Sequence, residues 1–349
     1  MSEIAFAIPG DIDLPTGGYA YDRRLLAEWR ASGVAARHLP LPGSFPAPTP
    51  EDLAETGRSI LSQPFDAALL IDGLAYGAFP ESIAAGLAGR VVALVHHPLA
   101  YETGLTVDRA SALRASETAA LRYASAVIVT SPATKRLLIS DYGVPEDRIT
   151  VAVPGVDRAE RAAGSPPGSG LALLAVGSIV PRKGYDVLVA ALAGLADLPW
   201  RLTIIGAEDR APETTEALRR QIVEAGLGDR ITLAGAVDDA TLARAYAAAD
   251  LFVMPSLFEG YGMVLTEALA RGLPLICTTG GAAAETAPDA AAIKVEPGDV
   301  AGMAAALRQV IDDGARRAHM ADAAWAAAST LPAWAETAAI VARICRKVM

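Results

Sequence analysis

The chain has 349 residues, 52% of them apolar, only two cysteines and a formal net charge of −10. That length favours two domains, each large enough to bury a core without staples. The negative charge excludes general nucleic-acid binding, which needs a basic footprint, and two cysteines exclude a disulfide framework. No stretch approaches the ~20 uninterrupted apolar residues of a membrane span. Met1–Gly10 starts directly as a strand, without the basic and long apolar regions of a secretory signal, so cytoplasmic residence is expected.

Apolar β-type runs at Ile4–Ile8, Ala67–Asp72, Val91–His96, Ala126–Thr130 and Ile149–Val153 alternate with helical stretches at Tyr19–Ser32, Asp108–Tyr123 and Pro132–Asp141. Such βαβα alternation implies a parallel sheet covered by helices on both faces. Between Pro154 and Leu171 periodicity disappears, and Gly164-Ser165-Pro166-Pro167-Gly168-Ser169-Gly170 marks a linker. A second series follows, with strands at Leu171–Val176, Arg201–Ile205, Ile231–Leu233, Leu251–Met254 and Leu275–Thr278. Its helices are expected at Tyr185–Leu195, Pro212–Ala225, Asp239–Ala249 and Met263–Arg271, and the tail from Val300 reads as helix with breaks near Gly314 and Pro332. The expected fold is α/β, with two Rossmann-like doubly wound parallel-sheet domains at 1–163 and 164–334. Open α/β sheets bind ligands at the carboxyl ends of their strands, so a central cleft between the two is the expected site.

The most informative segment runs from Leu251 to Pro274. A buried strand ends at Pro255, the loop Glu259-Gly260-Tyr261-Gly262 follows, and a helix runs from about Met263 to Arg271. Glycines at a helix start let backbone N–H groups approach a ligand closely, and the helix dipole favours a pyrophosphate there. Glu259 and Glu267 have bland readings, as a dipole partner and as a surface helix residue. Ionised carboxylates also accept from two hydroxyls at once, which suits sugar and ribose. A second segment, Leu173 to Asp186, places a strand and a loop before adjacent Arg182 and Lys183. Arg and Lys side by side at a strand's carboxyl end can neutralise a diphosphate.

The Glu-x7-Glu spacing around Gly-Tyr-Gly resembles the donor-site signature of the retaining glycosyltransferase family 4, of GT-B fold. The resemblance implies that Glu259 contacts the transferred sugar, that Glu267 binds the ribose, and that Gly260, Tyr261, Gly262, Met263 and Val264 line the donor between them. Gly177-x4-Arg182-Lys183-Gly184 is similar to the family's pyrophosphate loop and assigns that role to Gly177, Arg182 and Lys183. Gly17-Gly18, which open the first long helix, resemble the family's Gly-Gly loop. His96 aligns best with the family histidine that approaches the transferred sugar, with His97 as the fallback. Gly235 marks a strand end where a nucleotide base could stack. Ser131 and Pro154-Gly155-Val156-Asp157 resemble weaker family stretches, with an Asn missing from the latter. Leu331-Pro332-Ala333-Trp334 and the helix 335–349 look like the family's closing element, which packs back on the first domain.

The function implied is transfer of a sugar from a UDP- or GDP-linked donor to a glycan, lipid-linked or small-molecule acceptor with retention. His96, Arg182, Lys183 and Glu259 are its catalytic candidates. No cofactor beyond the donor is expected, and no metal. Asp11-x-Asp13 imitates the DxD metal motif but follows the first strand, the wrong place for it, and two adjacent strand histidines point to opposite faces. The helix carrying Arg109, Arg114 and Arg122 with Leu113 and Leu121 suits an anionic or lipid-linked acceptor or an ordinary amphipathic packing role. A lipid acceptor, or peripheral contact with the inner face of a membrane, would need only one groove or helix face. A GT-B-fold sugar-nucleotide epimerase, a phosphorylase-like enzyme and a non-catalytic sugar-nucleotide binder are the alternative readings. A Rossmann dehydrogenase is disfavoured, since no Gly-x-Gly-x-x-Gly follows either opening strand.

Overall fold

The computed structural model describes residues 3–102 and 104–348. The chain divides into two units, Met1–Gly155 with Pro332–Met349, and Val156–Leu331. Among the described residues the first unit holds β1 (Ile4–Pro9), β2 (Ala36–Leu41), β3 (Ala68–Asp72), β4 (Val91–Val95), β5 (Ala126–Val129) and β6 (Ile149–Val151). They form one parallel sheet in the order β2-β1-β3-β4-β5-β6. The second unit holds β7 (Leu171–Val176), β8 (Trp200–Ile205), β9 (Ile231–Leu233), β10 (Leu251–Met254), β11 (Leu275–Thr278) and β12 (Ala292–Val295), ordered β12-β11-β10-β7-β8-β9. Its pairs are likewise parallel.

Central strands of both sheets are buried along their whole length, as β1, β3, β4 and β10 show. Continuous apolar runs are what helices on both faces demand. In each sheet the strand order reverses at one place, between β1 and β3 in the first and between β7 and β10 in the second. Ligand crevices of open α/β sheets form at that reversal, outside the carboxyl ends of the strands.

Differences from the sequence expectation concentrate at the edges. Neither β2 nor β12 was anticipated, and each is the outermost strand of its sheet. Arg37, His38 and Pro40 interrupt one and Lys294 the other, because an edge strand need not be apolar on both faces and tolerates proline. Helices at Pro50–Leu61, Gly73–Tyr76, Glu81–Gly86 and Ala283–Thr286 were also missed. The first boundary falls after Gly155 rather than after residue 163. Residues 156–163 pair with the second unit, where Ala162 N–H donates to the Arg271 carbonyl and Ala163 N–H to the Ala247 carbonyl, each at 2.9 Å.

At the far end, residues 332–334 go with the first unit. The helix Trp334–Val348 buries Trp334, Ala338, Val341, Ala342 and Cys345. Trp29 donates its indole N–H to the Ala338 carbonyl at 2.9 Å, and the rings of Tyr21 and Trp334 meet edge to face at 5.6 Å. No described helix is long and apolar enough to cross a membrane.

Glu117, on the helix Val107–Leu121, is almost wholly buried and accepts the Leu99 N–H at 3.0 Å, which pins the loop after β4. Burial pushes its pKa up to about 8, against the lowering influence of that N–H, of Tyr142 and of Arg114. The folded state therefore keeps a proton that the unfolded chain releases. Stability is lost as pH rises from the ordinary carboxylate range to about 8. Chemical denaturation across that range should show Glu117→Gln with a flatter pH dependence than the parent chain; parallel slopes would refute the assignment.

Candidate active site

Arg182 and Lys183 stand in the turn after β7, and Glu259 in the loop after β10, so both loops leave strands that flank the reversal point of the second sheet. Lys183 Nζ lies 2.7 Å from Glu259 Oε1, and Arg182 Nη1 lies 3.3 Å from Oε2. Two cations therefore share one carboxylate. Arg182 also donates to the Phe258 carbonyl at 2.8 Å, and the Arg182 carbonyl accepts the Leu257 N–H at 2.7 Å. The turn is built for this approach. Gly184 has φ +62°, and a Cβ there would sit 2.3 Å from the Pro255 carbonyl oxygen. Gly177 lies under the Lys183 stem, 3.0 Å from Lys183 Cε to an added Cβ, and its carbonyl accepts the Tyr185 hydroxyl at 2.9 Å.

The Glu259 side chain is 8% exposed. Burial alone would push its pKa up, but Lys183 and then Arg182 outweigh burial and hold it at about 2. A permanently ionised carboxylate in a buried setting needs such partners. A third loop supports it. Glu259 N–H donates to the Gly280 carbonyl at 3.2 Å, and the Glu259 carbonyl accepts the Ala282 N–H at 2.8 Å. A Cβ on Gly281 would lie 2.2 Å from the Glu259 carbonyl oxygen. Gly280 and Gly281 escaped the sequence reading, although a Gly-Gly pair directly after an apolar strand was a visible signal.

Glu267 is no ordinary surface residue. Its Oε2 accepts the hydroxyl of fully buried Tyr246 at 2.8 Å, and the Arg271 guanidinium lies 4.5 Å from the Tyr246 ring centre. Burial raises its pKa, opposed by the Tyr246 hydrogen bond and the Arg271 charge. Gly262, with φ +87°, caps the helix Met263–Leu269. The Val264 side chain is half-buried against the core, and the Tyr261 carbonyl accepts the Thr286 hydroxyl at 2.7 Å. Gly260 lies in the same loop. Gly235, after β9, accepts the Gly206 N–H at 2.9 Å.

Gly17, Gly18 and His96 belong to the first unit. Gly17 and Gly18 open the helix Gly17–Ser32, and a Cβ on Gly18 would meet His96 Cδ2 at 3.2 Å, so Gly18 makes room for the imidazole. His96 Nε2 lies 3.2 Å from Asp22 Oδ1 and 3.4 Å from Asp72 Oδ2. Asp22, Asp72 and His96 form the one group among the described residues with metal-ligand atoms within 4.8 Å of one another. The sequence points to His96 by the family resemblance but does not indicate Asp22 or Asp72 beside it. One signal was present: Asp22 is three residues before Leu25 and seven before Trp29, on the face those residues bury. His97 faces Glu102 instead, at 3.4 Å. Among the arginines of Val107–Leu121, Arg114 pairs with Asp141 at 3.1 Å, and Arg109 lines a cavity of about 370 Å³ with Pro48, Leu53 and Leu113.

Residues 156–326 match the family model for glycosyl transferases group 1, and residues 23–160 match that for glycosyltransferase family 4. The chain belongs to the family 4 glycosyltransferases. A D-inositol 3-phosphate glycosyltransferase of Pseudarthrobacter chlorophenolicus is 35% identical over 62% of this chain and 54% of its own length. A 2-deoxystreptamine glucosyltransferase of Streptomyces kanamyceticus is 28% identical over 70% of this chain and 67% of its own. The alignments thus take in little more than half the length of the first of these relatives. The sucrose-phosphate synthase of Thermosynechococcus elongatus shares the fold over 99% of both chains, with a TM-score of 0.84 at 21% identity. Anabaena Alr3699/HepE, solved in complex with UDP-glucose, does so over 98% of this chain and 99% of its own, at 0.76 and 19%. The fold is GT-B, two Rossmann-like units with parallel sheets.

In this family member Lys183, Arg182 and Glu259 form one buried ion cluster on which folding itself depends. Lys183→Ala leaves Glu259 with Arg182 alone, and breaking a buried pair costs about 3 kcal/mol. Adding Glu259→Gln should restore part of that, giving a coupling energy of at least ~1 kcal/mol in urea denaturation. Additive effects would show that the two side chains do not act as a pair.

Proposed function

We propose that this chain transfers a sugar from a UDP- or GDP-linked donor to a hydroxyl acceptor, with retention of anomeric configuration. The observation that carries the reading is the Lys183–Glu259–Arg182 cluster at the reversal point of the second sheet. Two cations on one carboxylate leave positive charge for a diphosphate, and Arg182 and Lys183 stabilise it as the glycosidic carbon–oxygen bond breaks. The acceptor oxygen then bonds to the anomeric carbon, and its proton passes to the departing diphosphate. Glu259, ionised throughout, receives sugar hydroxyls, while Glu267 receives the ribose. Amides at Gly262 and Met263 supply further donors to the phosphates.

The relatives' names carry D-inositol 3-phosphate and 2-deoxystreptamine, both small and ring-shaped. A small polyol is accordingly the first acceptor class to test, ahead of glycans and lipid-linked sugars. No cofactor or metal enters this scheme.

Thermal shift against a set of nucleotide-sugars should single out the donor, since a ligand at a hundredfold its Kd adds about 2.7 kcal/mol. With that donor, Glu267→Ala should raise KM about tenfold to a hundredfold at near-parental kcat, from the loss of a charged hydrogen bond. Lys183→Ala, assayed where it remains folded, should lower kcat by about 10²–10³. Parental turnover from both variants would sink the proposal. Phosphate-dependent cleavage, or conversion of the donor with no acceptor, would establish the phosphorylase or epimerase reading in its place.

A further inference from the structure

The first unit carries a cluster of three titratable groups, buried Asp22 and Asp72 and half-buried His96, that the scheme above leaves without a role. The His96 imidazole is held along its Nε2 and Cδ2 edges and by the Tyr21 ring. Gly18 faces its Cδ2 edge, the Tyr21 ring meets it edge to face at 5.3 Å, and its backbone carbonyl accepts the Thr130 hydroxyl at 3.1 Å. Asp72 is itself held, since its Oδ1 accepts the Leu74 N–H at 2.6 Å while Oδ2 turns to the ring. Asp22 is fully buried, with Oδ1 toward the ring and Oδ2 lacking any hydrogen-bond partner. The titratable groups around the imidazole are therefore Tyr21 and Asp22 from the helix Gly17–Ser32 and Asp72 from the end of β3.

We propose that Asp22 and Asp72 are positioning residues that share the Nε2 proton of His96 and hold the ring as an imidazolium. His96 then presents its Nδ1–H as a charged donor to a substrate hydroxyl at the carboxyl edge of the first sheet. The choice of nitrogen follows from the contacts. Nε2 has two carboxylate oxygens within 3.4 Å. Nδ1 is not among the buried polar atoms left without a partner, and the side chain keeps 19% of its surface. Electrostatics agree with the geometry. Burial alone would lower the His96 pKa, but the charge and hydrogen bond of Asp22, and then those of Asp72, outweigh it and raise it. Burial raises Asp22 in turn, opposed by the charge of His96. A buried carboxylate pair without that imidazolium would be two like charges in a low-dielectric setting, which is why one ring proton between them is the stable arrangement. This assignment rests on the glycosyl-transfer reading only for what Nδ1–H meets; the protonation state stands apart from it.

The test is the imidazole itself. The chain has four histidines, His38, His96, His97 and His319, so long-range 1H–15N spectra of histidine-labelled protein can be assigned by loss of one set in His96→Gln. At about pH 8 the parent should still show His96 with both ring nitrogens protonated, well above the ordinary ~6.5. Asp22→Asn and Asp72→Asn should each bring the titration down toward that value, with an unchanged far-UV circular dichroism spectrum as the control for folding. Where a transfer assay is in hand, Asp22→Asn should lose up to about thirtyfold in kcat at about pH 8 and recover most of it by about pH 6, as the imidazolium re-forms. A merely structural aspartate would give a loss independent of pH. A neutral parent His96 at about pH 8, titration unchanged in both Asn variants, or one equivalent of tightly bound metal with Nε2 unprotonated would overturn the proposal. Failure of donor binding in the thermal-shift screen would instead count against the transfer reading alone.

Discussion

The constraint on which the second unit depends is the buried Glu259 carboxylate. A charge removed from water survives only where opposite charges compensate it, and here Lys183 and Arg182 do so at 2.7 and 3.3 Å. The requirement propagates outward. To bring the cations to the carboxylate, the turn after β7 must touch the loop after β10, which forces Gly184 against the Pro255 carbonyl. To keep the carboxylate in place, the loop after β11 must press on it from the other side, which forces glycine at 281. Three loops from adjacent strands are thus locked by one ion cluster, and they sit where the strand order reverses. The loops are interlocked without any ligand, the kind of preorganisation that the proposed stabilisation of a leaving group would need.

Much of this was legible in the sequence because the responsible segments are local. The run from Leu251 to Pro274 contains a strand, a loop and a helix with their carboxylates in order, and Arg182 and Lys183 lie next to each other. Central strands were found within a residue or two, since burial on both faces makes them continuous apolar runs. What escaped was whatever is defined by partners distant in sequence. β2 and β12 look unlike strands by themselves, because they are half-covered edges. Their strand character comes from β1 and β11. The domain boundary was displaced for the same reason: residues 156–163 have no periodicity of their own, yet their N–H groups are claimed by carbonyls some 85 to 110 residues away, at Ala247 and Arg271.

Asp22 shows the same limit more sharply. An aspartate in a helix interior reads as a solvated residue unless the apolar face is traced through Tyr21, Leu25 and Trp29. Only the fold brings it to Asp72, fifty positions on, and to His96, farther still. A histidine met in sequence has no protonation state; between two buried carboxylates it acquires one.

Charge then sorts what each unit can hold. In the second unit two cations surround one carboxylate, and in the first two carboxylates surround one imidazole. A diphosphate placed against Asp22 and Asp72 would meet like charge in a buried setting, whereas against Arg182 and Lys183 it meets bidentate and point donors. The acid-rich cluster suits the opposite task. It can keep a single positively charged N–H aimed at a hydroxyl without offering a phosphate a landing place, because the carboxylates behind the ring cancel most of its field at longer range while leaving the hydrogen bond at contact intact. Under the proposed function, the net charge of −10 is no obstacle to an anionic donor, since a local pair of cations fixed by Glu259 would meet it rather than the field of the whole chain.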